Sequence, residues 1–344
     1  LFSPPPSPLS GALYRQNEKS VSTGAMEDAV PDISVVVPLF NESANLRPLS
    51  DALIPALKSC GVSFETIFVD DGSTDDSWRT IQAICAADRR FQGLSFSRNF
   101  GKEIAIAAGL DHARGKAVII IDSDLQHPMA LIPIFIAKWR EGYKNIYGQR
   151  MSRHTDPELR NFLTRLFYRM LDKFGDTPLP PGSCDFRLLD RQAVDALLKL
   201  RERARFNKGL YAWIGFKSCG VPFEMQARGS GSTKFGYAKL FSFALDGLMS
   251  FSALPLKVWT YVGLAVSSFA LAMACFYGFR TLLFGVDVPG YASLIVSIAF
   301  FAGMQLISLG VLGEYIARIF DEVKGRPLYL IAERIGENVQ TPRE

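Results

Sequence analysis

Two apolar stretches constrain this chain more than any other feature. Residues 258–279, VWTYVGLAVSSFALAMACFYGF, and 291–312, YASLIVSIAFFAGMQLISLGVL, each run 22 residues without a charge. About 20 helical residues cross the hydrocarbon core of a bilayer, so either stretch is long enough to span it. Buried core helices are the competing reading, but such helices rarely run this far without a charged face. Two spans form a hairpin, which leaves the preceding and following segments on one side. Lys257 stands before the first run, Arg318, Lys324 and Arg326 follow the second, and loop 280–290 carries Arg280 and Asp287. The basic flanks predict that both segments are cytoplasmic. The five cysteines, Cys60, Cys85, Cys184, Cys219 and Cys275, show no paired spacing. That fits a reducing compartment and argues against a disulfide framework or a zinc site. Asn41-Glu42-Ser43 matches a glycosylation sequon, which a cytoplasmic location would leave unmodified. The formal net charge of +4 is modest, and no nucleic-acid partner is expected.

The first 30 residues are rich in Pro and Ser and lack an apolar signal core. They read as a disordered leader or an expression remnant, with Met26 a reasonable natural start. From Ile33 onward, β-branched runs alternate with helical stretches. ISVVVP (33–38), ETIFV (65–69) and AVIII (117–121) are near-continuous apolar runs, as expected of strands buried on both faces. Residues 93–96 read as extended, and segments near 43–60, 75–88 and 101–114 as helices. Strand–helix alternation at this spacing predicts a parallel α/β sheet, whose ligands bind at the carboxyl ends of the strands.

Acidic and small polar residues gather at those ends. Phe40-Asn41-Glu42 follows the first run, Asp70-Asp71-Gly72-Ser73-Thr74-Asp75 the second, and Asp122-Ser123-Asp124-Leu125-Gln126 the last. Turn punctuation explains one such loop; three aligned loops predict a shared site. Asp122, Asp124 and Gln126 place oxygen ligands on alternate residues, so one cation can reach all three. Hard oxygen donors favour Mg²⁺ or Mn²⁺, and a ligand diphosphate would complete the shell. No Walker-type phosphate loop is present, and no G-x-G-x-x-G follows the first strand. Arg228 with Gly229-Ser230-Gly231-Ser232-Thr233-Lys234 offers backbone N–H groups, hydroxyls and cations suited to phosphate.

VVVPLFNE (35–42), VDDGSTD (69–75), SRNFGKEIAIAAGL (97–110) and DSDLQHP (122–128) resemble, in order and spacing, family 2 glycosyltransferases of the GT-A fold. GQR (148–150), DFRLLDR (185–191), RFNKG (205–209), RGSGSTK (228–234) and the two apolar runs extend the likeness to polyprenyl-phosphate glycosyltransferases over residues 32–335. The resemblance implies an α/β GT-A nucleotide-diphospho-sugar transferase domain followed by a two-helix transmembrane hairpin. It implies a nucleotide pocket at Pro38, Phe40, Glu42, Asp70, Asp71, Lys102 and Asp122. The metal site falls on Asp122, Asp124 and Gln126, and the catalytic residues on Asp124, Arg150 and Asp185. Phosphate or lipid-phosphate contacts fall on Arg160, Arg205, Arg228, Ser232 and Lys234. SCDFR around Asp185 departs from the TSGFR-like pattern of mannosyl-type relatives and leans towards the glucosyl and aminoarabinose branch, hence a UDP-sugar. The bacterial branch also suggests a homo-oligomer, with a tetramer as one form.

The implied reaction is inverting transfer of a sugar to polyprenyl phosphate at the cytoplasmic membrane face. A lipid phosphate has its second pKa near ~6 and is already nucleophilic, so the need for a general base at Asp185 is small. Residues 160–174 carry apolar residues at helical spacing among Arg160, Arg165, Arg169 and Lys173, a pattern that suits a bilayer surface. The expected layout is a leader over 1–30, a GT-A domain over 31–235, a juxtamembrane amphipathic helix over 236–256, the two spans within 257–313 and a cytoplasmic tail over 314–344. LYLIAE (328–333) is expected to pair as an edge strand or dock on a neighbouring subunit. Two other readings compete: a transferase acting on a lipid alcohol, and a non-catalytic sugar-nucleotide-binding membrane protein.

Overall fold

The structure is a computed structural model that describes residues 30–151, 180, 182–203, 205–224, 254–284 and 290–336. The leader, the basic segment 160–174 with Arg160, and the stretch with Arg228, Ser232 and Lys234 lie outside the described residues, as does most of segment 236–256.

An eight-stranded sheet with strand order β7-β5-β6-β4-β1-β2-β3-β8 forms the frame. Its centre is the parallel set β1 (Ile33–Leu39), β2 (Phe64–Asp70), β3 (Phe91–Phe96) and β4 (Ala117–Ile120). Alternate residues of these strands feed opposite faces, which is why the strands read as unbroken apolar runs. Val35, Val37, Phe68 and Ile119 pack under α1 (Ser43–Lys58), α2 (Ser77–Ala87) and α4 (Leu131–Arg140). Val36, Ile67, Val69 and Ile120 pack under α3 (Lys102–His112), α5 (Arg191–Leu198) and α6 (Asn207–Trp213). Helix α3 lies so close to β1 that a Cβ on Gly109 would come within 2.2 Å of Val36.

The sheet is not wholly parallel. β5 (Asn145–Arg150) and β7 (Ser218–Phe223) run parallel to each other, but β6 (Ser183–Asp190) is antiparallel to both β4 and β5. This direction has a functional consequence. The start of β6, with Asp185, lies at the same edge as the carboxyl end of β4, because Ile120 pairs with Arg187. The order reverses about β1, between β2 and β4, where a sheet of this kind opens a binding crevice.

The opposite edge is clamped by a buried carboxylate. Glu65, 3% exposed, accepts from Ser34 Oγ at 2.6 Å, Gln92 Nε2 at 3.2 Å, the Arg114 N–H at 2.8 Å and Arg114 Nη2 at 3.1 Å. It thus ties three strands to the α3–β4 turn. Glu65→Ala removes the shared acceptor of the half-buried Arg114 guanidinium and of the buried Ser34 and Gln92 side chains, and is expected to cost about 1–3 kcal/mol. Thermal unfolding of the purified protein measures this; an unchanged midpoint would refute the clamp.

Two long helices follow, α7 (Leu254–Phe284) and α8 (Tyr291–Val323), which touch each other. Both outrun the expected spans of 258–279 and 291–312. Among the described residues only Phe300–Val323 is long and apolar enough to cross a membrane by length and composition, none of it buried, whereas α7 offers only the shorter apolar segment Tyr261–Ala270 in place of the expected first span. Tyr261, Leu264 and Phe269 on α7 are exposed as well.

After α8 the chain returns to the sheet as β8 (Ile331–Ile335), antiparallel on the outer edge of β3. The expected edge strand therefore forms within the same chain. Trp78 Nε1 donates to Glu333 Oε2 at 2.7 Å, and the Ser97 N–H to the Leu330 carbonyl at 3.0 Å. Tyr329 stacks on Phe96 with centroids 5.2 Å apart and donates its hydroxyl to Asp111 at 2.8 Å. At the end of α8, Glu322 accepts from the Arg203 N–H at 2.7 Å.

Candidate active site

The loops after β1 and β2 are knitted together. Asn41 holds φ +57°, a left-handed backbone uncommon for a residue with a side chain. Its N–H donates to Ser73 Oγ at 2.8 Å, and its Oδ1 accepts from the Thr74 N–H at 2.8 Å. Next to it, the Glu42 N–H donates to Ser77 Oγ at 3.0 Å, and Glu42 Oε2 accepts from Asn45 Nδ2. Pro38 is buried within β1, whereas Phe40 presents an exposed ring at the rim. Asp70 accepts from the Ser73 N–H and Ser95 Oγ, both at 3.0 Å.

Asp71 reaches across to the loop before α3. It accepts from the Phe100 N–H at 2.6 Å and the Gly101 N–H at 2.9 Å. Burial raises the pKa of its carboxyl above the usual value, with those two donors opposing. Gly72, at φ +72°, lets the two loops meet; a Cβ there would lie 2.6 Å from the Arg98 backbone.

The acidic edge centres on Lys102, the first residue of α3. Its Nζ lies 2.7 Å from Asp122 Oδ1 and 3.2 Å from Asp185 Oδ2, joining the end of β4 to the start of β6. Withdrawal from water opposes the Lys102 charge, but the two carboxylates outweigh it and hold the ammonium above its ordinary range. Burial likewise opposes ionisation of Asp122 and Asp185, yet Lys102 keeps both below the usual carboxylate range. Asp122 Oδ2 also faces His127 Nε2 at 3.4 Å, and His127 is stacked on Phe186 with centroids 4.9 Å apart. Asp185 Oδ1 is buried and has no hydrogen-bond partner among the described residues. Beneath it, Arg187 is fully buried, donates to the Cys184 carbonyl at 2.7 Å and lies 3.6 Å over the Tyr211 ring.

Asp124 Oδ1 accepts from the Gln126 N–H at 3.1 Å across Leu125, which holds φ +58°. Asn41 and Leu125 are the positive-φ non-glycine residues among those described, and both sit in strand-end loops at this edge. Such strain gathers where function fixes the backbone. Among the described residues no three His, Cys, Asp or Glu side chains group closely enough to cage an ion. Two carboxylates are too few to cage an ion, so Mg²⁺ or Mn²⁺ there would share its shell with a diphosphate. The donor set therefore suits the expected ion.

Glu103, next to Lys102, accepts from the Asn207 N–H at 2.9 Å. Burial, then the nearby Asp185 charge, push its carboxyl up to about 7. Folding thus disfavours its ionisation, and stability falls as pH rises from its ordinary 4.5 towards about 7. The stability difference between Glu103→Gln and the wild type is expected to be flat below that window, to grow in favour of the variant through it, and to be flat above it. Thermal melts across pH check this; a difference constant at every pH would contradict it.

Asp70, Asp71, Lys102, Asp122, Asp124, Gln126 and Asp185 thus share one edge with Pro38, Phe40 and Glu42. Arg150 ends β5, where its N–H donates to the Gly182 carbonyl at 2.9 Å, one register step from the start of β6. Arg205 instead turns its guanidinium to the Leu200 carbonyl at 2.6 Å and to Asn207 at 3.2 Å. His127, Glu103 and Arg187 were not foreseen. Each lies inside one of the quoted motifs, but only the folded register shows that they converge.

A sequence model of the family described as glycosyl transferase family 2 matches residues 34–198, from β1 through α5. An uncharacterised glycosyltransferase of Synechocystis is 47% identical over 305 residues, covering 89% of this chain and 96% of that protein. A prophage-derived bactoprenol glucosyl transferase of Shigella flexneri is 42% identical over 299 residues, covering 87% and 97%. Among solved structures, glucosyl-3-phosphoglycerate synthase of Mycobacterium tuberculosis is 22% identical with a TM-score of 0.43, covering 64% of this chain and 79% of that one; the assignment does not rest on it. The α/β layout with carboxylates at the end of β4 is of the GT-A type. With its acidic edge inside the matched stretch and relatives this similar along nearly their whole length, the chain belongs to glycosyl transferase family 2.

Proposed function

We propose that this chain transfers a sugar, glucose or a close relative, from a UDP-sugar to polyprenyl phosphate at the cytoplasmic membrane face, inverting the anomeric centre. The observation that carries this reading is the Lys102-bridged pair Asp122 and Asp185, beside an Asp71-anchored loop, in a chain 42% identical to a bactoprenol glucosyl transferase. Phe40, Glu42 and Asp71 line the donor side, where the rim ring can stack on the base. Asp122 and Asp124, with Gln126, would hold Mg²⁺ or Mn²⁺, which when bound supplies Lewis-acid neutralisation of the leaving diphosphate. Lys102 and Arg150 add fixed positive charge at that edge. Asp185, held at this edge by Lys102, would position a donor-sugar hydroxyl while the acceptor attacks. The acceptor phosphate is anionic at neutral pH, so no base has to take its proton.

Helices α7 and α8 form the anchor. Their exposed apolar side chains need a non-aqueous cover, and a bilayer supplies it while bringing the active site to the plane of the lipid phosphate. Lys257 before the first span and Lys324 and Arg326 after the second favour a cytoplasmic site. Association into a homo-oligomer is part of the same reading.

Purified protein incubated with undecaprenyl phosphate, Mn²⁺ and a panel of nucleotide sugars is expected to yield one lipid product, heavier by one hexose, with a UDP-hexose. Absence of labelled lipid with every donor would overturn the assignment.

A further inference from the structure

We propose that Lys102 is a built-in competitor for the metal at Asp122, and that it makes ion binding conditional on the donor diphosphate. The inference rests on the reading of Asp122 as a metal ligand. The ammonium lies 2.7 Å from Asp122 Oδ1, the length of a charge-assisted hydrogen bond, and bridges to Asp185 at 3.2 Å. On its other side Asp122 Oδ2 meets His127 Nε2 at 3.4 Å. Both oxygens of this carboxylate are thus engaged by the protein's own groups. A divalent ion that approaches without a donor must displace or sit beside a positive charge held by two carboxylates.

A diphosphate changes that balance. Its oxygens add negative charge beside Asp122 and give Lys102 a second anionic partner. The lysine can then turn from Asp122 to the phosphate while Asp185 keeps hold of it. Metal and donor would each favour the other, with a coupling larger than chelation by diphosphate alone produces. Lys102 is then a positioning residue with two duties: it keeps the acidic edge neutralised in the absence of donor, and it covers the leaving group once donor arrives. Ions do not occupy the edge idly, and the donor arrives with the ion or ahead of it.

The test measures Mn²⁺ affinity by electron paramagnetic resonance on the full chain in detergent, with and without UDP. Wild type, Lys102→Met and Lys102→Arg are compared. Removing one positive charge at contact distance should tighten Mn²⁺ binding without UDP about tenfold or more in Lys102→Met. The enhancement by UDP should shrink about tenfold in that variant, and Lys102→Arg should keep most of it. A variant that merely loosened the fold would weaken both measurements. If wild type and Lys102→Met bind Mn²⁺ equally without UDP and show the same enhancement, Lys102 does not compete, while Asp122 as a ligand stands. If neither binds Mn²⁺ even with UDP, the metal reading itself falls, and this inference with it.

Discussion

Replacing Asp122 with alanine is expected to cut sugar transfer by at least about 10³-fold, because it removes electrostatic stabilisation of the leaving diphosphate at its anchor. Asp122 follows the end of β4, and its carboxylate is joined to Lys102 at 2.7 Å. On the proposed reading, alanine there removes a metal donor and releases Lys102 to Asp185 alone. The fold should tolerate the change, since β4 pairs on both sides through main-chain groups and Lys102 keeps its second partner. Asp124→Ala should act in the same direction, with weaker donor binding. Rates at saturating donor, measured beside thermal melts, separate lost chemistry from lost structure. Full activity of either variant in excess Mg²⁺ or Mn²⁺ would remove the metal assignment.

The second large effect is expected at Asp71. Its carboxylate holds the Phe100 and Gly101 N–H groups at 2.6 and 2.9 Å, and so fixes the turn that launches Lys102 on α3. Hydrogen bonds to a charged acceptor contribute about 1.5–3 kcal/mol each, so losing two disorders the loop that closes the donor side. Asp71→Ala should weaken UDP binding about 100-fold, while Mn²⁺ affinity in the absence of UDP stays within a factor of about three. The same loop is braced from behind by the returning tail, where Tyr329 stacks on Phe96 and Phe96 meets Phe100 edge-on. Calorimetric titration with UDP decides the matter; unchanged UDP affinity would show that the Asp71-held loop does not close the donor side.

The strands that carry the site were legible because a sheet covered on both faces demands unbroken apolar runs. Ile33–Leu39 and Ala117–Ile120 announced themselves this way, and with them the carboxylates that follow. β6 was less legible as a strand. Its sequence SCDFRLLD mixes charge with apolar residues because Arg187 is buried, held by the Cys184 carbonyl, Asn145 and the Tyr211 ring rather than by water. Without β6 the sheet looked wholly parallel, and the reason Asp185 meets Asp122 was hidden. The Lys102–Asp185 contact joins residues 83 apart, which no local pattern encodes. The Glu65 clamp was missed for the same reason: a glutamate within a strand looks like a solvent-facing residue until Ser34, Gln92 and Arg114 are brought to it. β8 was half legible, as an apolar tail in search of a partner, and the exposed edge of β3 supplied one.

The central claim is that the acidic edge delivers a UDP-bound hexose to a lipid phosphate. Its most direct measurement offers the reconstituted protein labelled UDP-glucose with undecaprenyl phosphate or undecaprenol, each with Mn²⁺ and with chelator. The expected result is label in the lipid fraction only with the phosphate and the ion together, as a β-linked glucosyl phosphate. Label on undecaprenol, or transfer that persists in chelator, would contradict it.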